Sequence, residues 1–174
     1  MSGYGMAGHL LLQFQNSFGT SLTTSLQAIP IVEESLTFTK EPLPEKNMYG
    51  RFMESPYHEG MHKVEGGVTI EAHYVAIGDF LKGALGTVAT TSGTGTQTHV
   101  FKPMVVGSEF DGRAAHAPIT MEINRNVGSA FVYYDCLVND LSIGISNGQI
   151  MTMQAGFLGA GFTRKAATAS PTFP

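Results

Sequence analysis

Tryptophan is absent from these 174 residues, cysteine occurs once, and charged side chains make up only 14% of the chain. Each shortage excludes something. A single cysteine, Cys136, cannot form an internal disulfide. It sits in the apolar run FVYYDCLV at 131–138 and reads as a buried, inert thiol. Without tryptophan, and without basic residues interleaved among aromatics, there is no stacking surface for single-stranded nucleic acid. A formal net charge of −4 excludes the basic stripe of a stoichiometric nucleic-acid binder, though not a wall that nucleic acid slides past. No apolar stretch approaches the roughly 20 residues of a membrane-spanning helix. The first 14 residues lack a basic n-region, and the run Leu10, Leu11, Leu12 is too short for a signal h-region, so no export leader is expected. The expectation is a soluble protein made in a cytoplasm.

Ordinary globular domains carry roughly 25% charged residues. A shortfall of this size implies a surface largely covered by partners, or one made polar by Thr, Ser and Gly instead. The charges are also uneven: none occurs before Glu33, and no acidic residue follows Asp140. An uncharged arm of that kind packs on its own domain or lies on a neighbour.

The length suits one domain, 1–174, and the dominant periodicity is two. In 63–74, Val64, Val68, Ile70, Ala72 and Tyr74 face one way, while Lys63, Glu65, Thr69, Glu71 and His73 face the other. That is a half-buried antiparallel strand, with Gly66 and Gly67 marking a bulge or a close backbone approach. Segments 36–39, 119–124 and 141–146 alternate likewise. Asn147-Gly148 is a hairpin signal, which predicts that 141–146 pairs with 149–157. One helix is predicted at about 76–86, where Ile77, Phe80, Leu81, Ala84 and Leu85 form one stripe, Asp79 lies near the N-terminus and Gly86 closes the end. The fold class is therefore mainly β, an antiparallel sandwich or barrel with one short flanking helix. Residues 1–10 read as an arm, 87–97 as a mobile low-complexity loop and 166–174 as a flexible tail. Residues 41–60 read as a long loop in which Met48, Tyr49, Phe52, Met53 and Tyr57 are too apolar for disorder, and these five are candidate intersubunit contacts.

Motifs that would carry catalysis fail on context. His58-Glu59-Gly60-Met61-His62 matches H-E-x-x-H, which holds zinc only when a helix puts both histidines on one face. Pro56 and Gly60 oppose that helix, and a strand follows directly. Gly144-Ile145-Ser146-Asn147-Gly148 matches G-x-S-x-G, but no Asp, Glu or His follows Ser146 to complete a triad. Gly156, Gly159 and Gly161 do not form a dinucleotide fingerprint and read as the end of the last strand. His9, His73, His99 and His116 are scattered. No catalytic residue, metal or cofactor is expected, and the chain reads as a non-enzyme.

Three segments together resemble the tail tube proteins of long-tailed bacteriophages. The first is 61–86, MHKVEGGVTIEAHYVAIGDFLKGALG, and the second is 134–157, YDCLVNDLSIGISNGQIMTMQAGF. The third and looser one is 14–36, with a Gly-Thr loop before a Pro-containing strand. The resemblance implies a structural virion protein, assembled in the host cytoplasm as stacked hexameric rings that form the tail's conduit for DNA. It implies tape-measure, terminator and distal-tail proteins as partners, with no membrane and no specific DNA binding. Glu65, Thr69, Glu71 and Glu122, on polar strand faces, are then candidates for the channel lining. The Pro-rich length of 41–60 departs from the family pattern. Another self-assembling virion or secretion-tube component, or a ligand-binding β-sandwich, fits the same composition; a micrograph or a saturable ligand would separate them.

Replacing His58 and His62 by Ala is expected to leave folding and assembly nearly unchanged, with no stoichiometric zinc in the purified protein. One tightly bound zinc per chain, by elemental analysis, would overturn the structural reading of H-E-x-x-H.

Overall fold

A computed structural model describes residues 8–22, 26–44, 57–103, 117–168, 171 and 173. Eleven strands and one helix follow in the order β1 (His9–Phe14), β2 (Gln27–Ile29), β3 (Glu33–Glu34), β4 (Thr37–Pro44), β5 (Tyr57–Glu71), α1 (Tyr74–Leu85), β6 (Gly86–Gly93), β7 (Thr96–Pro103), β8 (Ile119–Asn124), β9 (Ala130–Gly144), β10 (Thr152–Gly159) and β11 (Gly161–Lys165). All pairings are antiparallel. One hydrogen-bonded path runs β2-β1-β8-β9-β10-β5-β3, with β4 also on β5 and β11 also on β9.

The fifteen residues of β9 serve two layers. Its first half pairs with β8 and β11, and its second half with β10. The first layer is thus β2, β1, β8, β11 and the start of β9. The second is the end of β9 with β10, β5, β3 and β4. The sheets are not closed into a barrel, and the layout is a sandwich. Alternation supplies the core: Leu10, Leu12, Met121, Ile123 and Tyr133 from the first layer meet Val64, Val68, Ile70, Met153, Ala155 and Phe157 from the second. Phe162 stacks on Phe38 at 4.9 Å, closing the far end of the core.

The predicted helix is present and starts two residues early, at Tyr74. Ala76 and Phe80 are fully buried, and Gly83 brings the backbone close to Val138 and Ile119 of the sheets. Gly86 caps the end with φ +93 and donates its N–H to the Lys82 carbonyl. Asp79 is not in the first turn, so it does not serve the helix dipole as expected; burial instead raises its pKa, against the nearby Lys82 charge.

Pairing of 141–146 with 149–157 is observed, with Gly144 opposite Thr152 and Leu141 opposite Ala155. The turn is longer than a two-residue loop. The Gln149 N–H donates to the Ser146 carbonyl, and of the Asn-Gly pair only Gly148 takes positive φ. At Gly66 and Gly67 the register against β10 is unbroken, so the pair marks a close approach rather than a bulge. A side chain at Gly66, φ +138, would strike the Ser35 carbonyl.

Four sequence expectations are corrected. Residues 87–97 form the β6–β7 hairpin, because its β-branched residues pair across the turn at Gly95, and Thr90 Oγ1 meets His99 Nδ1 at 2.9 Å. The ends of 41–60 are strand, with Leu43 opposite His58, and residues 45–56 between them lie outside the described residues. Met48, Tyr49, Phe52 and Met53 lie outside the described residues, and Tyr57 opens β5. Gly156 sits within β10, and Gly159 and Gly161 flank a turn into β11, which the sequence reading did not foresee. Both are needed: a side chain at Gly159 would strike Cys136 Sγ, and one at Gly161 the Tyr134 ring.

The fourth correction is Glu122. Strand 119–124 is buried on both faces, and Glu122 has no exposed surface. Its carboxylate accepts hydrogen bonds from Lys165 Nζ at 2.6 Å, from the Thr168 N–H at 2.8 Å and from Thr168 Oγ1 at 2.9 Å. Thr168 therefore lies against this face, and Phe173 meets the His9 ring edge-on. Glu122 cannot line a channel. It fastens the C-terminal segment.

Burial raises the pKa of Glu122, but the Lys165 and Thr168 donors together outweigh it and hold the carboxyl below its usual value. A depressed folded-state pKa gives stability that is complete above the unfolded value and lost as pH falls through the folded one. Glu122→Gln is expected to cost about 3 kcal/mol at neutral pH and to flatten the acid limb of the stability curve. Denaturant unfolding across that range measures both; an unaltered acid limb would assign acid sensitivity to another group.

Candidate functional site

The outer face of the second layer is a polar surface written by strand register. Glu71 of β5 lies opposite Thr152 of β10, which lies opposite Gly144 of β9. The next row is Glu33, Thr69, Gln154 and Ser142. Gly67, Gly156 and Asp140 follow, then Thr37, Glu65 and Leu158. Lys63 and Thr39 close the face at the β4 edge.

Period two explains this surface. Val64, Val68 and Ile70 point into the core, so Glu65, Thr69 and Glu71 must point away. The structure brings these three expected residues together on one face and separates them from Glu122. Glu33, Asp140 and Gln154 belong to the same face and were missed. The signal lay in the hairpin pairing: once Ala155 is set opposite Leu141, Gln154 and Ser142 share a row with Thr69.

The face is acidic. Its rows carry the carboxylates of Glu33, Glu65, Glu71 and Asp140 against the ammonium of Lys63, which forms an ion pair with Glu65. Hydrogen bonding to Glu65 raises the Lys63 pKa, so that cation stays charged but locally neutralised. At the centre, Gly67 and Gly156 leave a shallow hollow of about 320 Å³, edged by Ser35, Glu65, Asp140 and Gln154. A β-bulge between Gly156 and Phe157 shapes its rim, and Asn139 Nδ2 donates to Asp140 Oδ2 there.

Among the described residues, the side chains that matched catalytic motifs are not gathered at one place. His58 and His62 lie on β5, where a separation of four residues spans about 13 Å, well beyond a shared metal ion. His62 instead sits 3.7 Å from Glu59 and edge-on to Phe38. Among the described residues no group of three His, Cys, Asp or Glu side chains gathers for a metal. Ser146 belongs to the β9–β10 turn. Burial, with the Asp135 charge beside it, pushes the Cys136 thiol up to about 12, so it is no nucleophile.

The layer has two open edges. The outer edge of β4 has no strand partner among the described residues, nor has the second half of β9 on the side away from β10. Open edges of seven or eight residues are strong templates for pairing with another chain.

Comparison with known proteins agrees with a structural role. A family model described as phage tail tube protein matches residues 5–174. Among solved structures, the SPP1 tail tube, determined by solid-state NMR and cryo-EM, superposes with a TM-score of 0.53 at 11% identity, covering 94% of this chain and 79% of that one. The tail of an empty gene transfer agent particle with C6 symmetry gives 0.50 at 8% identity, over 95% and 98% of the two chains. The six-fold symmetrised baseplate of the anti-feeding prophage gives 0.50 at 9%, over 91% and 92%. No curated protein matches in sequence. With its family model spanning nearly the whole chain and its β-sandwich shared with assembled tails, the chain belongs to the phage tail tube protein family and is a structural subunit of the virion tail.

Proposed function

We propose that six copies close into a ring by pairing the β4 edge of one subunit with the free half of β9 on the next, and that stacked rings form a conduit for DNA. The two open edges carry this reading. Along β4, β5, β10 and β9 strand direction alternates, so the last strand of one copy meets the first of the next antiparallel. Four strands per subunit is an even number, so alternation survives closure. The edges also match in length: β4 has eight residues, and the second half of β9 is comparable.

Six such sheets make a barrel of about 24 strands, roughly 37 Å across for upright strands and roughly 50 Å at 45° tilt. Barrels of that size hold an open channel rather than a packed core. The six-fold symmetry of the gene transfer agent tail supports the number of copies.

Curling in this sense turns the polar face inward, and Glu65, Thr69 and Glu71 line the channel. Carboxylates repel DNA phosphates, so the wall offers no site at which the duplex can stall. The connection that carries Met48, Tyr49, Phe52 and Met53, with Tyr57 where it enters β5, reaches a neighbouring subunit, and tape-measure, terminator and distal-tail proteins complete the tail.

Glu65→Lys and Glu71→Lys test this. An exposed strand position tolerates the swap within about 0.5 kcal/mol, so tails should assemble. Each ring would then carry six new cations that bind phosphate, and DNA ejection should slow sharply. Assembly is scored by microscopy and ejection by DNA release. Normal ejection from normal tails would place these side chains outside the channel.

A further inference from the structure

We infer that the turn between β9 and β10 is a self-modifying site, at which Asn147 loses its side-chain amide to the next backbone nitrogen and becomes aspartate or isoaspartate. Water is the co-reactant, and no enzyme is needed. Asparagine is among the thermolabile side chains. The reaction closes a five-membered ring between Asn147 Cγ and the Gly148 nitrogen. Three things hold such a ring closure back: a side chain on the second residue, a hydrogen bond on the attacking N–H, and a backbone made rigid by strand pairing.

All three brakes are off at this turn. Pairing of β9 with β10 stops at Gly144 opposite Thr152, so residues 145–151 lie outside the ladder. The Gln149 N–H closes the turn on the Ser146 carbonyl at 3.1 Å. The Gly148 N–H within that turn has no acceptor among the described residues. Gly148 takes φ +78, and a Cβ built on it would meet no atom within 4 Å. Ile145 and Ile150, on either side, are 77% and 66% exposed, so water reaches the turn freely.

The other described asparagines keep at least one brake. Asn124 Oδ1 accepts from the Asn126 N–H at 2.8 Å, and Asn126 precedes the branched Val127. Asn139 lies inside β9, where its Nδ2 donates to Asp140 Oδ2 at 3.3 Å. Asn16 precedes Ser17 rather than glycine.

The step balances. The Gly148 nitrogen bonds to Asn147 Cγ, the Cγ–Nδ2 bond breaks, and ammonia leaves with the proton of the attacking N–H. One water then opens the cyclic imide. Opening at the Cγ carbonyl gives aspartate; opening at the backbone carbonyl gives isoaspartate, whose main chain runs through Cγ and is one carbon longer. Nothing is oxidised or reduced. Either product places a carboxylate in the stretch 141–163, which otherwise has no Asp, Glu, Lys, Arg or His. A neutral tip thereby becomes an anionic one. A structural subunit of a virion is not replaced once built, so the change accumulates with the age of the particle. The inference stands apart from the ring closure proposed above, and either can fail alone.

For the test, purified protein is held in mildly alkaline heavy-oxygen water, folded or in urea. Its peptides are followed by mass spectrometry, and isoaspartate is counted by enzymatic methylation. Heavy oxygen should enter the peptide carrying Asn147 first and fastest, at a rate in the folded protein within tenfold of that in urea. Isoelectric focusing should show one acidic step that Asn147→Gln lacks, because the longer side chain would have to close a six-membered ring. Asn147→Ser, which has no amide, should lack the step as well and guards against a folding defect in the first variant. Protection of the folded protein by more than tenfold would overturn the inference. So would faster conversion at another asparagine, or an acidic step that persists in both variants.

Discussion

The structure depends on one strand belonging to two layers. β9 leaves the first layer and enters the second without a break in the chain, and the change of direction is concentrated at Asp135, which takes a left-handed φ of +57. Between Ile119 and Met121 the pairing with β8 slips there, so β9 carries an extra residue. Asp135 is held on both sides. Its N–H donates to Gln15 Oε1 at 2.9 Å, and its carboxylate accepts from the Gly19 N–H at 2.8 Å and from Gln15 Nε2. Gln15 is itself buried, so these are bonds that water does not replace. A left-handed conformation is costly for a residue with a side chain, and here the β1–β2 connection holds it in place.

From that bend follow the spacing of the layers and the freedom of the edges. The chain after β10 must cross over β9 at the bend, which leaves no room for a side chain at Gly159 or Gly161. A second tie fixes the layers against each other. Arg125, on the β8–β9 connection, forms a bidentate pair with Glu34 and donates to the Leu36 carbonyl, and Tyr133 Oη donates to that same carbonyl. With the layers locked, the second half of β9 projects beyond β8, which ends opposite Cys136. The projection creates the free edge, and β4 supplies the other. An edge of unpaired peptide groups is an aggregation hazard in a lone protein and a joint in an assembling one.

How much of this was legible in the sequence divides along the range of the interactions. Alternation showed the core face of β5, because Val64, Val68 and Ile70 have one buried side to choose and period two leaves no other assignment. The helix stripe and the Asn-Gly hairpin were legible for the same reason: both are local. Glu122 was not. Its strand alternates like a half-exposed one, and only the C-terminal segment, 46 residues away at Thr168, covers the polar side. No spacing in the sequence encodes that contact. The β6–β7 hairpin was hidden differently. Thr, Ser and Gly repeated through 87–97 satisfy the composition of a loop, yet the Thr side chains also favour a pleated ribbon, and pairing with 96–103 decided between the two. The acidic face was partly legible, through Glu65, Thr69 and Glu71, while Asp140 and Glu33 joined it only through strand order.

The low charge of the chain then acquires a spatial meaning. A subunit that meets like subunits has surfaces of more than one kind to furnish, and each calls for different chemistry. Sideways contacts between strand edges are made by backbone groups and need no particular side chains. In the proposed ring the acidic face would be the one turned to DNA, where carboxylates repel phosphate along the whole path. Four carboxylates on one face of a chain with 14 acidic residues is therefore a concentration of charge, not a dilution. The uncharged stretch 141–163 is its complement, since it builds the tip of β9, all of β10 and their shared turn. The bend at Asp135 separates the layer that carries the acidic face and both open edges from the layer that anchors the C-terminal segment.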